Sequence, residues 1–109
     1  MEIVFDIETP MVTDWLNLSD VKEILCMAIS IDGAEPKTVD MEYGLLLLST
    51  ADTVIGHNIQ SFDIPALKRV YPKFEISGQV FDTLIASRLL HADIRERDFL
   101  LPEFPKELL

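Results

Sequence analysis

The chain has 109 residues, 49% hydrophobic and 26% charged, so it allows one domain and excludes a disordered tail. The aliphatic run Leu45 to Leu48 is far shorter than the ~20 residues that cross a bilayer, and no basic signal region begins the chain. Nine Lys and Arg against nineteen Asp and Glu give a net charge of −10. That charge disfavours binding nucleic acid by phosphate neutralisation alone. A single cysteine, Cys26, suits a reducing compartment, so we expect a cytoplasmic protein.

The first half of the chain predicts an antiparallel meander. The predicted strands are Glu2 to Ile7, Ile24 to Ile31, and a short strand near Thr38 and Val39. The first strand alternates with period two, which separates an apolar face from an acid-bearing face: Ile3, Phe5 and Ile7 against Val4, Asp6 and Glu8. A polar connection over residues 10 to 20 follows it, and Asp32-Gly33 gives a turn signal before the third strand.

The second half of the chain alternates short strands with helical periodicity. We expect a helix over Glu42 to Thr50, a strand over Thr53 to Gly56, a helix over Phe62 to Tyr71, a strand at Val80 and Phe81, and a helix over Thr83 to His91. In the last helix, Leu84, Ile85 and Leu89 have the spacing of core-facing residues. A meander followed by alternating strands and helices predicts an α/β fold with a mixed sheet.

Asp6 and Glu8 form the first pair whose type and spacing indicate chemistry. Two residues apart on a strand, they point to the same face with side chains ~7 Å apart. Their like charges repel each other, and a hard cation between the oxygens, such as Mg²⁺ or Mn²⁺, would remove that repulsion. Such a metal would also bridge an acidic chain to a phosphate. The alternative is a strand end that emerges into water with both acids solvated.

Asp63 is the third acid of interest. It ends the segment Gly56-His57-Asn58-Ile59-Gln60-Ser61-Phe62-Asp63, which leaves a short strand, turns, and enters a helix with Pro65 in its first turn. Taken alone, Asp63 is explained by helix capping, and Asn58 by closure of the turn.

Taken together, the two segments resemble the first two motifs of the DEDD-type 3′–5′ exonucleases. The matching residues are Phe5-Asp6-Ile7-Glu8-Thr9 and, later in the chain, Asn58-x-x-x-Phe62-Asp63. The segment Phe81 to His91 looks like the one that follows these motifs in proofreading domains of family A phage replicative DNA polymerases. The resemblance covers nearly the whole chain and implies a ribonuclease H-like fold, in agreement with the element order.

The resemblance also implies metal ligands. Asp6 and Glu8 match the pair that binds the principal ion, and Asp63 matches the acid that helps to hold the other, commonly through water. Two divalent cations, Mg²⁺ or Mn²⁺, are therefore implied as cofactors, with these three acids as the catalytic residues.

The remaining residues of the two motifs are implied to lie beside the substrate. Asn58 and Phe62 match positions that set the geometry of their segment next to the substrate strand, and Thr9 matches a position close to the terminal nucleotide. We interpret Asp82, which precedes a helix, as an N-cap rather than a ligand. His57 and His91 are interpreted as structural or solvent-facing, because hard cations prefer oxygen.

The sequence departs from the family at the third motif, whose Tyr-x-x-x-Asp or His-x-x-x-x-Asp supplies the fourth acid. Tyr71 is followed four residues on by Glu75, and His91 five residues on by Glu96, so neither has the Asp. We therefore expect residues 1–109 to be the amino-terminal part of an exonuclease domain, incomplete at the carboxyl end and inactive alone. The apolar, proline-interrupted stretch within residues 95–109 agrees with this expectation.

The implied activity is proofreading: hydrolysis of phosphodiester bonds at the 3′ end of DNA by a two-metal mechanism. Its implied partners are a single-stranded 3′ end and a polymerase domain of the same longer chain, with no membrane, in a bacterial host cell if a phage encodes the protein. The alternatives are a catalytically incomplete ribonuclease H-like fragment or interaction module, and an unrelated acidic cation-binding domain.

Overall fold

Five strands form one mixed sheet within residues 1–10 and 21–91, which are the residues that the computed structural model describes. The strands are β1 (Glu2–Glu8), β2 (Cys26–Ile31), β3 (Lys37–Val39), β4 (Thr53–Gly56) and β5 (Gln79–Asp82). The sheet order is β3-β2-β1-β4-β5; β1 pairs antiparallel with β2 and β2 with β3, whereas β1 and β4, and β4 and β5, are parallel. The predicted meander and the ribonuclease H-like α/β fold are confirmed.

Among the described residues, α-helices connect β3 to β4 and β4 to β5, and a third α-helix follows β5. They are α1 (Met41–Thr50), α2 (Ile64–Val70) and α3 (Thr83–Leu90), and a π-helical turn over Ile59–Asp63 leads directly into α2. The helix predicted from Phe62 to Tyr71 therefore begins earlier, as a π-helical turn. Neither of the two described ranges contains a helix long and apolar enough to span a membrane. The predicted connection over residues 11–20 and the segment 95–109 lie outside the described residues.

The core lies on one face of the sheet. Ile3, Phe5 and Ile7 of β1 are buried there, as the alternation predicts. α1 covers this face, and Gly44 permits its close approach, because a Cβ at that position would lie 2.6 Å from Met27 Sδ. Other fully buried side chains of this core come from β2, α1, β4, the π-helical turn and α2: Met27, Leu48, Val54, Ile59 and Leu67.

The opposite face of the sheet and most of α3 are open among the described residues. Val4 of β1 is 45% exposed and Phe81 of β5 is 52% exposed. No residue of α3 is buried, and Leu89 is 76% exposed. The prediction that the apolar stripe of α3 faces the core is therefore wrong for Ile85 and Leu89, which are exposed, whereas Leu84 is half-buried. Helical spacing identifies an apolar stripe but does not identify the surface that the stripe meets.

Candidate functional site

The carboxyl end of β1 carries two exposed acids on the open face of the sheet. Asp6 and Glu8 alternate with buried neighbours, as predicted. Within β1, only Glu2, Ile3 and Val4 pair with β4. Asp6 and Glu8 therefore lie where β1 continues past its parallel partner. The chain that leaves β4 turns here, and the carboxyl ends of parallel strands are where open α/β sheets bind ligands.

A tight turn brings the chain from β4 back beside β1. Gly56 ends β4, and a Cβ at this position would lie 2.2 Å from Ile59 Cγ2 and 3.0 Å from the Phe5 carbonyl oxygen. Asn58 has φ of +60°, a left-handed conformation that asparagine tolerates better than most residues. The predicted turn-closing role of Asn58 is therefore confirmed in its backbone, although its side chain makes no capping hydrogen bond.

The π-helical turn places Asp63 against β1. The Ile64 amide donates to the carbonyl of Ile59, five residues back, and Pro65 has no amide with which to continue that pattern. Asp63 closes the turn, and its Oδ2 accepts a hydrogen bond from the Ile7 amide at 3.3 Å. The Asp63 side chain makes no capping hydrogen bond to α2, so the capping explanation is wrong.

Burial and a like charge act together on Asp63. Its side chain is only 5% exposed. Burial, followed by the charge of Asp6, raises the pKa of Asp63 to about 7, although the Ile7 amide opposes the shift. Asp6 and Asp63 are therefore close enough to repel each other when both are ionised.

This pair fits a divalent cation in donor type and in charge. Carboxylate oxygens are the ligands that Mg²⁺ and Mn²⁺ prefer, and a bound cation would relieve both the burial and the repulsion of Asp63. Across residues 1–10 and 21–91, however, no three side chains of His, Cys, Asp or Glu are gathered closely enough to hold a metal ion. The contribution of Glu8 stays a prediction.

Asp82 has a second structural role that the sequence did not reveal. Its Oδ1 accepts from the Leu84 amide at 2.9 Å, which confirms the predicted N-cap of α3. The same oxygen accepts from the Asn58 amide, and Oδ2 accepts from the Gln60 amide, both at 2.9 Å. Burial would raise the pKa of Asp82, but backbone amides outweigh it and lower that pKa. Asp82 thus joins the end of β5 to the start of the π-helical turn.

The other predicted site residues lie around these acids. Thr9 is half-buried directly after β1, and Phe62 is half-buried against the core within the π-helical turn. Their contacts with a substrate stay predictions. His57 is exposed, with its Nδ1 3.0 Å from Thr83 Oγ1, and His91 is exposed after α3. Glu96 lies outside the described residues.

Comparison with solved structures supports the fold. The chain is similar to a family B DNA polymerase from the hyperthermophilic archaeon Pyrobaculum calidifontis, with a TM-score of 0.53 and 15% identity over 76% of this chain. The match covers 15% of the polymerase chain, so this sequence spans a small part of that protein's length. At this identity the likeness shows the fold alone. No protein-family model and no curated protein sequence matches the chain.

Proposed function

We propose that residues 1–109 form the amino-terminal part of a 3′–5′ exonuclease domain of a DNA polymerase. The observation that carries this proposal is the contact of Asp63 with Ile7, which brings a desolvated carboxyl group beside Asp6. The ribonuclease H-like fold and the polymerase neighbour support it. The neighbour belongs to family B, and the finer assignment to a family A phage polymerase rests on the segment Phe81 to His91.

In this proposal, Asp6, Glu8 and Asp63 hold two divalent cations, Mg²⁺ or Mn²⁺. When bound, such ions activate a water molecule and stabilise the leaving oxygen of the phosphodiester. Burial raises the pKa of Asp63 to about 7, and a bound cation would favour its ionised form. The longer chain supplies the fourth acid and the polymerase domain that holds duplex DNA.

Thr9, Asn58 and Phe62 are proposed to line the path of the single-stranded 3′ end. All three belong to the two segments that carry the acids. Asn58 and Phe62 flank the turn whose backbone is fixed by the Phe62 amide donating to the Asn58 carbonyl at 3.1 Å. A rigid backbone here favours a defined position for the terminal nucleotide.

The test is release of labelled terminal nucleotide from a 3′-labelled single-stranded DNA oligonucleotide with Mg²⁺ or Mn²⁺. In the uninterrupted protein, Asp6→Ala and Asp63→Ala should each lower the rate by several orders of magnitude, since each removes a proposed ligand. Glu75→Ala is the matched control: Glu75 is exposed beyond α2 and should leave the rate unchanged. Wild-type rates in both aspartate variants would refute the assignment.

The second candidate is a catalytically incomplete ribonuclease H-like module. The absence of a three-ligand cluster among the described residues favours it. This candidate predicts an intact fold that neither responds to Mn²⁺ nor trims a 3′ end in the uninterrupted protein. Metal-dependent trimming that requires Asp6 and Asp63 would exclude it.

A further inference from the structure

We infer that Asp82 is a positioning residue, which holds the Asp63 carboxyl group against β1 through the π-helical turn. The inference deepens the proposed function, and only its metal-binding readout rests on that proposal. The inference is based on the contacts at the two ends of the π-helical turn. Asp82 binds the start of the turn from β5, and Asp63 binds β1 from its end.

The hydrogen bonds of Asp82 fix where the turn begins. The Asn58 and Gln60 amides, on either side of buried Ile59, donate to different oxygens of the same carboxylate. Asp82 is 5% exposed and adjoins the parallel strand β4 through the Gly56 register position, so the carboxylate has little freedom. Amides bound to a charged acceptor make stronger hydrogen bonds than those bound to a neutral one.

The end of the turn has weaker support of its own. Asp63 accepts from the Ile7 amide at 3.3 Å, beyond the usual range for a charge-assisted bond. This single long hydrogen bond is too weak to fix the position of the Asp63 carboxyl group against β1. The position of its carboxyl group therefore depends on the backbone of the turn, which Asp82 anchors.

Asp82→Asn separates this positioning role from the helix cap. Asparagine is as good an N-cap as aspartate. Its side-chain nitrogen cannot accept a hydrogen bond, so at least one of the Asn58 and Gln60 amides loses its acceptor. Asp40→Asn is the matched control, because Asp40 caps a different helix, α1, by accepting from the Tyr43 amide at 3.1 Å.

The experiment records amide NMR spectra of the isotopically labelled 109-residue chain, first without metal and then through a titration with Mn²⁺. In metal-free protein, Asp82→Asn should move the Ile7 amide signal in the same direction as Asp63→Ala does, because that variant removes the acceptor, whereas Asp40→Asn should leave it in place. Mn²⁺ should broaden the Ile7 signal in the wild type. Asp82→Asn should need about 10- to 100-fold more Mn²⁺, as typically follows loss of a residue that orients a ligand.

The outcomes separate this inference from the proposed function. If Mn²⁺ has no effect on the wild type but Asp82→Asn still moves the Ile7 signal, the metal site fails and the positioning role stands. An unchanged Ile7 signal in Asp82→Asn, or an equal change in Asp40→Asn, would overturn the positioning role. Asp82→Ala is a harsher variant; if it unfolds the chain, Asp82→Asn, which retains the cap, decides.

Discussion

The start and the end of the π-helical turn involve two aspartates that are equally little exposed but whose pKa values shift in opposite directions. Asp82 and Asp63 are each 5% exposed. Burial raises the pKa of both, yet backbone amides leave the pKa of Asp82 below its ordinary value, whereas the pKa of Asp63 rises to about 7. The amides of Asn58, Gln60 and Leu84 all donate to Asp82 at 2.9 Å. Asp63 accepts one hydrogen bond from the Ile7 amide at 3.3 Å, and the negative charge of Asp6 repels its ionised form.

The difference shows that backbone donors, together with burial, decide whether an acid with little exposed surface is structural or available for chemistry. The lone pairs of Asp82 are occupied by amides, so its charge is stabilised and no ligand is needed. Asp63 has the longer hydrogen bond to the Ile7 amide and lies beside a second negative charge, that of Asp6. Perturbed acids with this environment are frequent at functional sites, and a cation is the partner that suits them.

The largest effect on stability is expected when the structural acid is removed. Asp82→Ala removes the acceptor of three part-buried hydrogen bonds, so it should lower the free energy of unfolding by about 3–4 kcal/mol. Urea denaturation at pH 7 measures this change. Asp40→Ala, which removes an exposed helix cap, should lower it by only about 1 kcal/mol. Equal losses in the two variants would mean that Asp82 acts as a helix cap alone.

Neutralising Asp63 should increase stability, whereas removing Asp82 decreases it. In metal-free protein at pH 8, Asp63→Asn should raise the free energy of unfolding by about 2–4 kcal/mol, because the ionised wild-type carboxyl is buried beside Asp6. The asparagine oxygen can still accept from the Ile7 amide.

The control for this prediction is how the stability difference between Asp63→Asn and the wild type changes with pH. The pKa of Asp63 rises from 3.8 to about 7 on folding, so the folded state stays protonated to a higher pH than the unfolded state. The stability of the wild type therefore decreases as the pH rises from 3.8 to about 7. The gain in free energy of unfolding of Asp63→Asn over the wild type should therefore be near zero below pH 4, increase up to pH 7, and stay constant above pH 7. Urea denaturation of both proteins across this range measures it; an advantage independent of pH would contradict the raised pKa.

The sheet could be predicted from the sequence because its signals are local. Period-two alternation in β1 and the Asp32-Gly33 turn are properties of adjacent residues, and they define both the strands and the face that is buried. The orientation of α3 could not be predicted, because it depends on which surface lies opposite Ile85 and Leu89. That information is not contained in the spacing of the helix itself.

The candidate site residues could be proposed from the sequence, and they stay a prediction, whereas the residues that support them could not be proposed. Asp6, Glu8 and Asp63 were identified from type, order and resemblance to a family, and the structure brings Asp63 to β1 beside Asp6. The π-helical turn was not predicted, because one extra residue in a helical turn leaves no periodic signal over so short a stretch. Asp82 was identified only as a cap, since its bonds to Asn58 and Gln60 link positions distant in sequence.

The smallest expected effect tests whether the two proposed ligands act together. At tenfold excess over its Kd, Mn²⁺ should stabilise the wild type by about 1.4 kcal/mol, because it binds only the folded form. Asp6→Asn should melt above the wild type without metal, since Asp63 loses its repulsive neighbour, and should barely respond to Mn²⁺. Thermal melts of both proteins at pH 8, with and without Mn²⁺, measure these shifts. Asp40→Asn, which removes one negative charge at the start of α1, should respond as the wild type does. If Asp6 and Asp63 were merely solvated or structural acids, all three proteins would respond to Mn²⁺ alike, and that result would sink the shared metal site.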